Sequence, residues 1–195
     1  MSVSPRLVLA STSLYRRELL ERLGLPFDVV APGSQEIPLP GEPPERMVCR
    51  LAEEKARCVA ALHPDAVVIG SDQVAVIDGQ VLGKPGNTEK AAAQLRLASG
   101  RDVVYCNGLC VLSPTAPTRQ IEMIPFRVFF RTLTDDQIHR YLERDRPFDC
   151  AGGFKSERLG IALFSRMHGD DPTSLMGLPL IALTGMLNRI GIPVV

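Results

Sequence analysis

Three hydroxyl residues separate an apolar run from a helical repeat in Leu7-Val8-Leu9-Ala10-Ser11-Thr12-Ser13-Leu14-Tyr15-Arg16. A helix that starts there leaves unpaired N–H groups and a partial positive charge at its first turn, which suits an anion such as phosphate. Ser11 and Ser13 add hydroxyl donors, and Arg16 adds a full charge one turn later. The same residues also make a capping serine followed by solvated arginines, and such caps are common. The stretch lacks the Gly-x-x-x-x-Gly-Lys-Ser spacing of a P-loop.

Further along, Val48, Leu51, Lys55, Cys58 and Leu62 recur at alternating steps of three and four, the spacing of one helix face. Lys55 interrupts that apolar stripe, so it either snorkels to the surface or meets an anion. The stripe alone predicts that Lys55→Met leaves stability equal or higher. Asp72 stands in Val67-Val68-Ile69-Gly70-Ser71-Asp72-Gln73-Val74-Ala75-Val76-Ile77, with apolar strand signals on both sides. Aspartate is disfavoured in strand interiors, and an ionised one in a sheet needs a cation. Gly70 allows close backbone approach. An aspartate at a bulge or strand end bonded to backbone N–H groups is the plainer alternative. A ligand at the end of a central strand is the functional one.

Lys84 in Leu82-Gly83-Lys84-Pro85, Glu36 in a proline-rich loop, and Lys155-Ser156-Glu157 after Ala151-Gly152-Gly153-Phe154 are each ordinary alone. The three histidines, His63, His139 and His168, have neither triad nor zinc spacing, and no nucleophile for covalent catalysis stands out. Together the residues outline an anion site with carboxylates for a hard cation, the pattern of phosphate chemistry with Mg²⁺ or Mn²⁺.

The elements that must position these groups alternate between strand and helix, which predicts an α/β domain over residues 1–195. Strands are expected at Leu7–Ala10, Phe27–Val30, Ala66–Ile69, Val74–Ile77, Val103–Leu112 and Ile121–Phe130. Asp78-Gly79 marks a tight hairpin, and Ser113-Pro114-Thr115-Ala116-Pro117 a second turn. Helices are expected at Leu14–Leu23 with Gly24 past its end, about Pro44 to Leu62, Thr88–Ala98 capped by Thr88, Thr134–Leu142 capped by Thr134, and Leu178–Ile190.

With 22 basic and 22 acidic side chains among 195 residues, there is no charge surplus for binding a nucleic acid polymer and no basic block for a membrane surface. Leu178 to Leu187 is too short to span a bilayer, and no signal peptide is evident. Five cysteines in no paired framework read as reduced thiols, which predicts a cytoplasmic protein.

From Leu7 to about Ile190 the sequence resembles the Maf family of nucleoside triphosphate pyrophosphatases. The likeness rests on Ser11-Thr12-Ser13 with Arg16, Glu36, Glu53-Glu54-Lys55-Ala56, Gly70-Ser71-Asp72-Gln73, Gly83-Lys84-Pro85 and the late glycine loop. It implies a two-lobed α/β fold with an elongated mixed β-sheet flanked by helices and a nucleotide-binding cleft between the lobes. It also implies metal-dependent hydrolysis of a nucleotide to its monophosphate and pyrophosphate, and it is compatible with a homodimer. The branch that prefers dTTP and UTP carries Asp-Thr where this chain has Asp72-Gln73, and a Gln-Gly pair in the late loop. Cys150-Ala151-Gly152-Gly153-Phe154-Lys155-Ser156-Glu157 instead resembles the branch that prefers 7-methyl-GTP.

By that resemblance Asp72 is the proton acceptor, and Tyr15, Gln73 and Glu157 set base specificity. A 7-methylated guanine is a cation that the Tyr15 ring would attract, and Glu157 would accept the N1–H and N2 amine of guanine. Ser11, Ser13, Arg16, Lys55 and Lys84 would hold the phosphates while Asp72 and Glu36 hold the metal and water attacks the α-phosphorus. The alternatives are the same reaction on dTTP, UTP or another modified nucleotide, and a non-catalytic nucleotide sensor in control of cell division.

Overall fold

The computed structural model describes residues 5–115 and 119–195. The chain folds as β1 (Leu7–Ala10), α1 (Leu14–Glu21), β2 (Phe27–Val30), α2 (Pro44–Ala60), β3 (Val67–Ile77), β4 (Gln80–Leu82), α3 (Thr88–Ala98), β5 (Asp102–Leu112), β6 (Arg119–Phe130), α4 (Asp135–Asp145), β7 (Phe164–His168) and α5 (Leu180–Arg189), with short 3₁₀ turns at Ala151–Gly153, Leu159–Leu163 and Pro172–Met176. The strands form one seven-stranded mixed sheet in the order β2-β1-β3-β5-β6-β7, with β4 paired to β3 off this path. β1 lies parallel to both β2 and β3, and the remaining pairs are antiparallel.

The alternation of side chains along a strand divides the core. Leu7 and Leu9 of β1 join Leu19 and Leu20 of α1 and Leu183, Met186 and Leu187 of α5. Val8 and Ala10 face the other way, against Ala52, Ala56 and Val59 of α2. The far halves of β3, β5 and β6 carry a separate cluster with α3 and α4, including Ala75, Leu95, Tyr105, Phe130, Ile138 and Leu142. The three longest strands thus run through two lobes. The expected elongated, two-lobed mixed α/β sheet is present.

The approach of α2 to the sheet depends on two glycines. A Cβ at Gly70 would lie 2.1 Å from the Ala52 carbonyl oxygen, and one at Gly108 would lie 2.0 Å from that of Val48. With those side chains absent, the helix seats directly on β3 and β5. The buried face of α2 is Met47, Val48, Leu51, Ala52, Lys55, Ala56 and Val59. Cys58 and Leu62, which the spacing placed on this face, are exposed instead. The buried stripe runs through Ala52, Ala56 and Val59, and of these Ala52 and Ala56 lie closest to Gly70.

Several expectations need adjusting. The two strands expected around Asp72 are one continuous strand of 11 residues, since the ladder with β5 runs unbroken from Val68↔Leu112 to Val76↔Val104. Asn87, not Thr88, caps α3, accepting from the Lys90 amide. Thr134 does cap α4, in a reciprocal box with Gln137. Asp78 and Gly79 both take left-handed backbone angles, as the hairpin turn requires. Ala116 and Pro117 of the second turn lie outside the described residues. Strand β7 was not anticipated. Among the described residues no helix is long and apolar enough to cross a membrane.

Candidate active site

The parallel pairing of β3 with β1 ends at Ala10↔Gly70, and its antiparallel pairing with β4 begins at Ala75↔Leu82. Between these points, from Ser71 to Val74, that edge of β3 has no strand partner among the described residues. β1 leaves the sheet at the same level to enter α1. The opening is a cavity of about 550 Å³, within the range of small-ligand sites.

Lys55 is only 3% exposed and lies on the floor of this opening, its Nζ 2.6 Å from Asp72 Oδ1 and 2.5 Å from Glu36 Oε1. It does not snorkel. The two carboxylates differ sharply in setting, Asp72 at 8% side-chain exposure and Glu36 at 57%. Burial pushes the Glu36 carboxyl up, but the bond from Lys55 and the charges of Lys55, Lys84 and Arg16 outweigh it and hold the group below the ordinary glutamate value.

Arg16 donates from Nε to the Gly177 carbonyl at 2.8 Å, and Ser71 Oγ donates to the same oxygen at 2.9 Å. That shared acceptor ties the first turn of α1 and β3 to the turn before α5. Burial lowers the Arg16 value, and Asp72 and Glu36 partly restore it. Ser13 caps α1 by accepting from the Arg16 amide, and Ser11 Oγ accepts from the Ser13 amide at 3.1 Å. A hydroxyl that accepts still has a proton to donate, so capping and anion binding do not compete here.

Gln73 is held by its amide nitrogen, which donates to the carbonyl of Ser174 at 2.7 Å and to Asn107 Oδ1 at 3.1 Å. The fully buried Asn107 is oriented in turn by donating to the Ile124 carbonyl at 3.2 Å. Two backbone-anchored acceptors therefore fix which end of the Gln73 amide is free. Asp171 accepts from the Ile181 amide at 2.7 Å and from Thr173, anchoring the start of α5 and the turn that carries Gly177.

On the opposite rim, Tyr15 Oη donates to Asp149 Oδ2 at 3.2 Å, and Lys155 lies 3.2 Å from Asp149 Oδ1. The loop bearing them is anchored by Phe154, which meets Tyr105, Phe130 and Phe164 edge-on at centroid distances of 5.4, 5.6 and 4.7 Å. Ser156 donates to Glu157 at 3.4 Å.

Ser11, Ser13, Tyr15, Arg16, Glu36, Lys55, Gln73, Lys84 and Glu157 all line the one cavity, and Asp72 joins them through its bond to Lys55. Asn107, Asp149, Asp171 and Gly177 escaped sequence reasoning. Only Asp171 left a local signal, an aspartate followed by Pro172 and Thr173 ahead of a helix. The cysteines are all free. Burial pushes Cys106 up to about 11, and Cys110 and Cys150 up to about 12, so none of these three offers a thiolate.

Residues 6–190 match the family described as Maf-like protein. A protein of Nitrosococcus oceani named 7-methyl-GTP pyrophosphatase is 55% identical over 190 residues, covering 97% of this chain and 96% of its own length. Proteins of the same name from Cupriavidus pinatubonensis and Burkholderia thailandensis are 52% and 55% identical, covering 97% of this chain and 95% and 89% of their own.

Proposed function

The chain belongs to the Maf family, and on that footing we propose that it hydrolyses 7-methyl-GTP to 7-methyl-GMP and pyrophosphate. The observation that carries the reading is the charge layout of the cleft. A buried Lys55–Asp72 pair, with Arg16 and Lys84 beside it, supplies one end with cations and a base. The other end presents an aromatic ring and carboxylates. A triphosphate fits the first and a cationic base the second.

In the proposed step a water oxygen attacks the α-phosphorus, the bond from that phosphorus to the bridging α–β oxygen breaks, and pyrophosphate leaves with the electron pair. Asp72 orients the water and takes its proton. Arg16, Lys55 and Lys84 balance the phosphate charge, Ser11 and Ser13 donate hydrogen bonds to it, and the helix N-terminus behind them adds its dipole. Tyr15, Gln73 and Glu157 contact the base, with Glu157 accepting from N1–H and the N2 amine. Residues 1–195 act as one unit, and a cytoplasmic location, beside the nucleotide pool, accords with the substrate.

The donor set suits a Mg²⁺ or Mn²⁺ ion. Asp72 and Glu36 already share one cation, since each gives a single oxygen to Lys55. Among the described residues no group of three or more His, Cys, Asp or Glu side chains could hold a metal. Magnesium needs no such cage, because one or two carboxylates with substrate phosphates suffice. When bound, the ion would neutralise and polarise phosphate oxygens. Pyrophosphate release measured across 7-methyl-GTP, GTP, dTTP and UTP with either metal tests the reading. Preference for a pyrimidine nucleotide, or binding without turnover, would overturn it.

A further inference from the structure

The base end of the cleft holds a cation of the protein's own. Lys155 Nζ lies 5.7 Å from the centroid of the Tyr15 ring and 3.2 Å from Asp149, the carboxylate to which the Tyr15 hydroxyl donates. Tyr15 and Asp149 line the cavity, whereas Lys155 is not among its lining residues. The lysine backbone is fixed: its N–H donates to Tyr141 Oη at 3.0 Å, and its carbonyl accepts from the amides of Arg158 and Gly160. Its side chain is 10% exposed, while that of Asp149 is 61% exposed at the cleft rim. An anchored main chain thus delivers an ammonium to partners that stand at the edge of the substrate cavity.

A ring and a carboxylate sharing one ammonium form a recognition set for organic cations, because the ring quadrupole and the anion act in the same sense. We propose that Asp149 is a specificity-determining residue for a cationic, N7-methylated purine, and that Lys155 holds that cation's place on Tyr15 and Asp149 until the base arrives. The proposal rests on the reading of 7-methyl-GTP as substrate. A methylated base replaces the ammonium charge for charge. Neutral guanine has no charge to exchange and binds with the Lys155–Asp149 pair left in place, gaining nothing from it. Both residues therefore act on the discrimination between the two bases, and in opposite directions.

The ratio of kcat/KM for 7-methyl-GTP to that for GTP, in Asp149→Asn, Lys155→Met and the unchanged protein, tests this. Asp149→Asn should lower the ratio about 3- to 5-fold, the scale of one exposed cation–π or ion-pair contact. Lys155→Met should raise it by a similar factor, since the competing cation is gone. Both changes should lie in KM, because base contacts are alike in the ground and transition states. A merely structural role would depress both substrates together and leave the ratio unmoved, which overturns the proposal. So does a lowered ratio in Lys155→Met. A ratio at or below one in the unchanged protein removes the substrate reading and the exchange with it. A ratio well above one that neither substitution moves removes the exchange alone.

Discussion

The two ends of the cleft are built differently. The end proposed for the phosphates rests on β1, α2 and β3 in the middle of the sheet, where Lys55 and Asp72 are buried and Gly70 and Gly108 set the height of α2. The end proposed for the base adds to Tyr15 of α1 and Gln73 of β3 a loop and short 3₁₀ turns, with Asp149 and Glu157 exposed. A charge-bearing transition state needs groups that do not reorganise, so the reacting part belongs on the rigid floor. Base choice tolerates a softer rim, since it needs only a difference between two affinities. Substitutions on the floor should therefore change turnover and folding together, and substitutions on the rim should change KM.

The largest effect expected is that of Asp72→Asn. The substitution keeps shape and removes the proposed base, so kcat should fall by about 10²–10⁴-fold with nucleotide binding largely kept. Steady-state kinetics beside a binding titration separate the two. Turnover near that of the unchanged protein would move the base elsewhere on the floor.

Lys55→Met should next cost about 3–5 kcal/mol of stability, because it strands the buried Asp72 carboxylate without its cation. The apolar stripe of α2 points the other way, toward neutral or improved stability, and is overruled by the partner that the stripe does not reveal. The double variant Lys55→Met/Asp72→Asn should recover most of the loss. Urea midpoints for the three proteins decide between pairing and packing: a double variant no better than Lys55→Met alone would show that the lysine stem, not its charge, is what the fold needs.

On the rim, Tyr141→Phe removes the oxygen that accepts from the Lys155 amide. The expected stability loss is about 0.5–1.5 kcal/mol, the net worth of one hydrogen bond. The kinetic effect should be a raised KM with little change in kcat. A fall in kcat as large as that in Asp72→Asn would erase the distinction between the two ends.

Most of the floor was legible in the sequence because its signals are local. Ser11, Ser13 and Arg16 sit within one turn of a helix start, and Lys55 betrays itself as a charge in an apolar stripe. Asp72 was found but misplaced at a strand break. Nothing beside it discloses that Gly108 lies opposite in a continuous ladder. The rim was less legible because its partners are distant, Tyr15 and Asp149 being 134 residues apart and Gln73 and Asn107 34 apart. Strand β7 was invisible for another reason. Only Phe164 in it is buried, so Phe164-Ser165-Arg166-Met167-His168 shows no alternation, and pairing with β6 alone defines it.

The smallest effect expected lies where floor meets rim, at Glu36. Its folded-state value lies below the ordinary 4.5, chiefly because the opposing cost of burial is exceeded by the bond from Lys55. A depressed carboxylate stabilises the folded state when ionised. That contribution is fully present above 4.5 and is lost as pH falls through the lower folded value. With the side chain 57% exposed, solvent screening should keep it to about 0.5 kcal/mol or less. Glu36→Gln should therefore be slightly less stable than the parent at neutral pH, and the two urea midpoints should converge on acidification. A gap that persists at low pH would mean that Glu36 holds its loop by packing, and one that widens would reverse the sign of the linkage. Convergence would place Glu36 as an electrostatic outpost of the buried Lys55–Asp72 pair.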